Sequence, residues 1–168
     1  APDRRHGYCT DDNARALALM ARMASDGALD PSAIKLATSC AAFVSHAWNT
    51  DTGRFRNFMS FDRSWLDEGG SDDCCARALE ALCLVARHWP HEGLAEWARD
   101  LARDVIRHAS EWTSLRAQAL IIRAMLAAEG GIIGADEAQR HIQASASVLL
   151  KAALQGREDG HGWFEPSF

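Results

Sequence analysis

The sequence predicts an all-α fold of antiparallel helical hairpins, arranged as three pairs. Helix start and stop signals alternate along the 168-residue chain, apolar residues recur between them with a helical period, and most connections between the predicted helices are short. Short connections place consecutive helices side by side in opposite directions. The length is typical of one domain, so we predict a single helical-hairpin domain over residues 1–168.

The first hairpin has clear boundaries. Thr10 is the predicted N-cap of a helix over about 11–25, which ends before Gly27. Asp30 then caps a second helix over about 31–48, whose first position is a proline. Both segments carry apolar residues at helical spacing, so each helix can bury one face.

The other two hairpins follow the same rules. Ser71 is the predicted N-cap of the third helix, which runs to Trp89 because a proline follows. Thr113 or Ser114 caps the fifth helix, and the sixth is expected to end before Gly156. The predicted ranges are about 92–110 for the fourth helix, 114–129 for the fifth and 135–154 for the sixth.

Residues 54–70 interrupt the helical period and are rich in aromatic side chains. The rings in this segment are Phe55, Phe58, Phe61 and Trp65. A long loop within a compact domain is usually functional or disordered, and high aromatic content argues against disorder. We therefore predict an ordered, functional loop with room for a short hairpin.

The first turns of the odd-numbered helices share a sequence pattern. Residues 10–17 read TDDNARAL, residues 71–79 read SDDCCARAL with one inserted residue, and residues 113–120 read TSLRAQAL. Repeated helical hairpins build solenoids and toroids, because each pair buries its apolar stripe against the next. The odd helices are rich in Ala and poor in charge after their first turns, which favours an inner ring, whereas the charged fourth helix suits an outer ring.

Composition excludes several classes of function. The net charge is −5 and no Lys/Arg cluster follows a face, so we expect no nucleic-acid partner. No apolar run approaches the roughly 20 residues that span a bilayer, so we expect a soluble chain without membrane insertion. The five cysteines lack CxxC spacing, which favours reduced thiols and a cytoplasmic location over a disulfide framework or a metal site. No nucleotide-binding, serine-hydrolase or zinc-protease motif occurs, and we expect no cofactor.

Four carboxylates are expected to meet at one end of the fold. In an up-down array the odd helices point the same way, so their N-termini share a rim. Asp12 and Asp73 are the predicted catalytic residues, and Asp11 and Asp72 are predicted to bind substrate. Carboxylates there can act as bases, bind a metal ion or accept hydrogen bonds from sugar hydroxyls. The alternative is that they only compensate the helix dipoles.

Arginine and aromatic side chains complete the predicted site. Arg15 is expected to contact substrate; the alternative for Arg15 and Arg77 is a buried ion pair with a carboxylate of an adjacent inner helix. Aromatic rings stack on the apolar faces of sugars, although each ring could instead anchor its loop. The other predicted substrate-binding residues are Tyr8, Asn57, Trp65, Trp163 and Glu165.

Three segments carry a family resemblance. They are residues 3–17, DRRHGYCTDDNARAL, residues 55–60, FRNFMS, and residues 162–165, GWFE. They resemble a family of bacterial glycosyltransferases and mannosyltransferases that carry a helical region similar to six-hairpin glycosidases, and the likeness spans the whole chain. The resemblance implies an (α/α) toroid that builds or processes saccharides, and it assigns no catalytic residue here.

A closed six-hairpin toroid needs twelve helices, whereas this sequence predicts six. We therefore expect half of an (α/α)6 toroid, as a fragment of a larger toroid or multidomain protein. The expected partners are a saccharide and either a second copy or a flanking domain of the same polypeptide. If the region hydrolyses glycosides, one carboxyl protonates the leaving oxygen and another acts as base or nucleophile. The alternatives are a non-catalytic glycan-binding module and a helical scaffold that binds protein.

Overall fold

The computed structural model describes residues 7–158 and shows an all-α protein, as predicted. The helices are α1 (Thr10–Ser25), α2 (Pro31–Ala47), α3 (Asp72–His88), α4 (Glu92–Ile106), α5 (Leu115–Ala128) and α6 (Ala135–Glu158). The strands are β1 (Tyr8–Cys9), β2 (Trp48–Asn49), β3 (Arg54–Phe55) and β4 (Phe58–Met59), and a 3-10 helix spans Ala109–Glu111. Within this part of the chain, no helix has the length and apolar character needed to cross a membrane.

The odd-numbered helices lie side by side and point in the same direction. α3 packs between α1 and α5 and is also covered by α4, while α2 packs on α1 and α6 on α5. Two ion pairs fix the relative direction of α1 and α3. Asp11 pairs with Arg77 near the helix starts, and Arg22 pairs with Glu80 further along both helices. Short connections return each even helix antiparallel to the odd helix before it, so the predicted three hairpins form.

Small side chains allow the odd helices to approach one another closely. α3 is buried on nearly all sides, and six of its ten buried residues are alanines or cysteines. Cys40 and Cys83 are buried, as expected for small core residues. Burial raises the pKa of both thiols, so they are poor nucleophiles.

Three predicted N-caps are confirmed, and one is wrong. The side chains of Asp30, Ser71 and Ser114 accept hydrogen bonds from backbone amides in the first turns of α2, α3 and α5. Thr10, however, is the first helical residue of α1 and is completely buried. Its Oγ1 donates to the carbonyl of Arg56 at 2.6 Å, so the hydroxyl fixes the loop to the helix and caps nothing.

Two predicted helix ends are also wrong. α4 ends at Ile106 instead of near residue 110, because the chain tightens there into the 3-10 helix. α6 continues through Gly156 to Glu158. One glycine costs only about 1 kcal/mol within a helix, which does not oblige the helix to stop.

Residues 54–70 form short strands and turns, and side chains hold them in place. β2 pairs antiparallel with β3, and β1 pairs antiparallel with β4. The two carboxylate oxygens of Asp67 accept the backbone amides of Asn57 and Phe58, each at 2.8 Å. The backbone amide of Gly70 donates to the carbonyl of Phe55 at 2.6 Å. The loop is therefore fixed at both ends and through its middle.

The close approach of β1 to β4 requires glycine at position 7. Gly7 has φ +64°, and a Cβ there would lie 2.1 Å from the carbonyl oxygen of Met59. We expect Gly7→Ala to lower the free energy of unfolding by roughly 3 kcal/mol in urea denaturation. Gly27 is the matched control, because its φ is +69° and nothing lies within 4 Å of a Cβ. Gly27→Ala should cost about 1 kcal/mol. Equal losses of stability in the two variants would show that a side chain at position 7 does not clash with Met59.

Candidate functional site

The N-termini of α1, α3 and α5 meet on one rim. The backbone amide of Ser114 donates to Asp72 Oδ2 at 3.2 Å, and Ser114 Oγ donates to the carboxylate of Asp73. Across the neighbouring interface, Arg77 Nε donates to Asp11 Oδ1. The predicted placement of Asp11, Asp72 and Ser114 at the same end is therefore confirmed.

A cavity of about 200 Å³ opens at this rim, and we call it the rim pocket. Four of the predicted site residues line it, namely Asp11, Arg15, Asn57 and Asp73. The other lining residues are Cys9, Phe58, Ser71, Cys74, Arg77 and Arg116. Seven of the ten lining residues therefore carry polar or charged side chains, and one carries an aromatic ring.

Five charged side chains line the rim pocket in two ion-paired groups, Arg15–Asp11–Arg77 and Asp73–Arg116, and together we call them the rim ladder. Arg15 Nη2 lies 2.8 Å from Asp11 Oδ2, and Arg116 Nη1 lies 2.9 Å from Asp73 Oδ2. Arg77 of α3 bridges to α1 through its bond to Asp11, which is the ion pair considered as its alternative role. Arg15 pairs within its own helix and its side chain stays 57% exposed, so it remains accessible to a ligand.

The loop contributes Asn57 to the pocket. Its Oδ1 accepts from the backbone amide of Asp11 at 3.3 Å and lies 3.5 Å from the thiol of Cys9. Its backbone carbonyl accepts from the backbone amide of Thr10 at 2.8 Å. The side-chain carbonyl is thus engaged with α1, and the amide NH₂ is the group that Asn57 can offer to a ligand.

Asp72 lies outside the pocket lining and connects three segments of the chain. Its Oδ1 accepts from Arg54 Nη2 at 2.6 Å, and its Oδ2 accepts from the backbone amides of Thr113 and Ser114 at 2.7 and 3.2 Å. Burial opposes ionisation of Asp72, but these hydrogen bonds outweigh it and hold the pKa of Asp72 below its usual value. The carboxylate therefore fixes β3 and the start of α5 to α3.

The two residues predicted to be catalytic do not occupy equivalent positions. α1 begins at Thr10 and α3 at Asp72, and both are continuous, so their residues can be matched by position from the helix start without an inserted residue. Counted from the helix starts, Asp11 corresponds to Asp73, and Asp12 corresponds to Cys74. Asp73 lines the pocket, whereas Asp12 is exposed and is absent from the lining.

Two predicted aromatic residues lie apart from the rim pocket, in a cluster against α2. The ring of Tyr8 lies 5.2 Å from that of Phe61, and the guanidinium of Arg63 sits 5.0 Å above Tyr8. The ring of Trp65 lies 5.7 Å from that of Phe43. These contacts fit the alternative role of loop anchors. The two predicted residues that lie outside the described residues are Trp163 and Glu165.

Sequence reasoning missed a second set of charges on the same helices. Glu80 is only 5% exposed, and its Oε1 accepts from Arg22 Nη2 at 2.6 Å and from Arg123 Nη2 at 2.7 Å. A lone glutamate in the middle of an apolar helix was a signal that such partners exist, because buried carboxylates are rarely unpaired.

The chemistry available at the rim is mainly hydrogen bonding and charge pairing. Burial raises the pKa of the Cys9 and Cys74 thiols, which disfavours the reactive thiolate. Within residues 7–156, no group of three or more His, Cys, Asp or Glu side chains is placed to hold a metal ion. The site is therefore suited to binding a polar ligand that both donates and accepts hydrogen bonds.

Comparison with protein-family models, curated proteins and solved structures gives no match for this chain. The function must therefore be inferred from the geometry of the chain itself.

Proposed function

We propose that this chain is half of an (α/α)6 toroid that binds a saccharide in the rim pocket, as part of a carbohydrate-active enzyme. The observation that carries this proposal is the rim ladder, in which three guanidinium and two carboxylate groups line one pocket. A sugar hydroxyl both donates and accepts, so neighbouring donors and acceptors suit it. The half-exposed ring of Phe58 offers an apolar surface for the face of a sugar ring.

The size of the pocket suggests how much of the saccharide it would hold. Pockets that enclose drug-sized ligands usually measure roughly 300–1,000 Å³. The rim pocket measures about 200 Å³. It would therefore take one sugar ring, with the rest of a longer saccharide outside it.

The packing order supports the toroid part of the proposal. A parallel row of α1, α3 and α5, with each even helix packed on the odd helix before it, is the arrangement of hairpins in an (α/α) toroid. The other half would come from a flanking region or a second copy. The five unpaired cysteines favour a cytoplasmic location.

Binding receives more direct support from the described residues than hydrolysis does. Glycoside hydrolysis needs two carboxyl groups across the scissile bond, at roughly 5–9.5 Å from each other. Asp73 lines the pocket, but Asp12 does not, and Asp73 is already bonded to Ser114 and Arg116. A non-catalytic glycan-binding module is therefore the second candidate function.

Asp73→Asn tests saccharide binding directly. We would screen the protein against a glycan array and measure affinities for the bound glycans by calorimetry. Loss of a charged acceptor costs about 1.5–3 kcal/mol, so Asp73→Asn should bind roughly 10- to 100-fold more weakly. Asp136→Asn is the matched control, because Asp136 is an exposed first-turn aspartate of α6 outside the pocket lining. Absence of glycan binding by the unsubstituted protein, or equal affinity in Asp73→Asn, would refute the proposal.

Turnover separates the catalytic and non-catalytic versions. If Asp12 and Asp73 act as acid and base, Asp12→Asn and Asp73→Asn should each lower the rate of saccharide turnover about 10²-fold or more. If they only compensate the helix dipoles, each variant should keep full activity and lose about 1 kcal/mol of stability or less.

A further inference from the structure

A second row of charges lies on the same three helices as the rim ladder. We call it the lower row, and it consists of Arg22, Glu80 and Arg123. Arg22 follows Arg15 by seven residues on α1, and Arg123 follows Arg116 by seven residues on α5. Seven residues make about two helical turns, or roughly 10 Å. The two rows therefore share one face of the helix layer and lie about 10 Å apart.

The lower row presents two guanidiniums that a buried carboxylate holds close together. Both donate to the same oxygen, Oε1 of Glu80, at 2.6 and 2.7 Å. The side chains of Arg22 and Arg123 remain 46% and 55% exposed, and Glu80 is their only ionic partner within residues 7–156. A guanidinium has five N–H donors, so most of the donors on each arginine are left for a ligand.

The two rows together carry more positive than negative charge. The rim ladder and the lower row together contain five arginines and three carboxylates, whereas the whole chain has a net charge of −5. A local excess of positive charge attracts anionic ligands. The sequence conceals this excess, because it arises only when three helices lie side by side.

We infer that the saccharide carries an anionic group, a carboxylate or a phosphate, which Arg22 and Arg123 bind while a sugar ring occupies the rim pocket. The inference rests on the proposed function and names its ligand class. Guanidinium groups match the oxygens of both anions with paired hydrogen bonds. The separation of the two rows means that the anion sits about 10 Å from the sugar ring, on a neighbouring unit of the ligand.

The test compares matched ligands at constant ionic strength. The probes are gluco- and manno-oligosaccharides, each prepared in a neutral form, with a terminal uronate and with a terminal phosphate. We expect one charged form to bind at least about 10-fold more tightly than its neutral counterpart, and the preferred form identifies the anion. Equal affinity for the neutral and charged forms overturns this inference and leaves the proposed function standing.

Single substitutions locate the anion. Arg22→Gln and Arg123→Gln each leave Glu80 with one partner, so the fold is retained. Each should remove most of the preference for the charged form while changing the affinity for the neutral form by less than about twofold. Arg107→Gln is the control, because Arg107 pairs with Asp104 alone among the described residues, is 74% exposed and follows α4. An unchanged preference in both lower-row variants overturns the assignment.

A measurement without sugar tests the anion site separately from saccharide binding. Thermal unfolding would be followed in sodium phosphate, sodium acetate and sodium chloride at equal ionic strength. Phosphate or acetate should raise the melting temperature of the unsubstituted protein more than that of Arg123→Gln, because ligand binding stabilises the folded state. Equal increases in melting temperature for the unsubstituted protein and Arg123→Gln overturn the anion site, even if saccharides bind.

Discussion

Glu80→Gln is expected to lower the free energy of unfolding by about 3 kcal/mol. The substitution keeps the shape of the side chain but removes the negative charge that joins Arg22 and Arg123, so the two guanidiniums lie close together without the carboxylate that compensates them. Loss of one partner from a buried ion pair costs roughly 3–5 kcal/mol, and the exposure of the arginines places the value at the lower end. For a chain of this length the melting temperature should fall by roughly 6–12 °C.

Arg22→Gln provides the matched control for Glu80→Gln. In that variant Glu80 keeps its bond to Arg123, and the lost partner is half-exposed. The cost should be about 1 kcal/mol or less. Thermal and urea unfolding of both variants would give the comparison, and similar losses would mean that Glu80 does not hold the two arginines together.

Phe55→Ala is expected to have a similarly large effect. Phe55 is completely buried, its ring lies 4.9 Å from that of Trp48, and its carbonyl accepts the amide of Gly70. Truncation of a buried phenylalanine to alanine costs roughly 3–5 kcal/mol, because a cavity replaces the ring. Urea denaturation would measure the loss, and near-ultraviolet circular dichroism would report altered packing around Trp48.

Phe61 offers a control in the same loop. Its side chain is 45% exposed and its ring contacts Tyr8. Phe61→Ala should therefore cost about 1 kcal/mol or less. If Phe61→Ala were as destabilising as Phe55→Ala, the loop would be anchored by its tip instead of by β3.

Local signals in the sequence were sufficient for most of the fold. Asp30, Ser71 and Ser114 could be recognised as N-caps because each accepts backbone amides only two or three residues away. Thr10 was misassigned because its hydroxyl bonds to the carbonyl of Arg56, 46 residues further along the chain. A local pattern contains no information about such a tertiary contact.

The candidate site was only partly predictable for the same reason. Asp11 and Asp73 could be placed at the rim because helix direction determines which ends meet. The sequence comparison paired Asp12 with Asp73 because it allowed one inserted residue in the repeat. Counted from the helix starts, Asp73 corresponds to Asp11 instead. The partners of Glu80 come from two other helices, and no spacing along α3 identifies them.

The bonds that join separate segments around the rim pocket have a consequence for the thermodynamics of binding. Thr10 holds the loop to α1, and Asp72 holds both β3 and the start of α5 to α3. Asp67 fixes the backbone on either side of Asn57. The walls of the pocket are thus already ordered before a ligand arrives. Binding in the pocket therefore costs little conformational entropy of the protein, so even a few hydrogen bonds to the ligand can give measurable affinity.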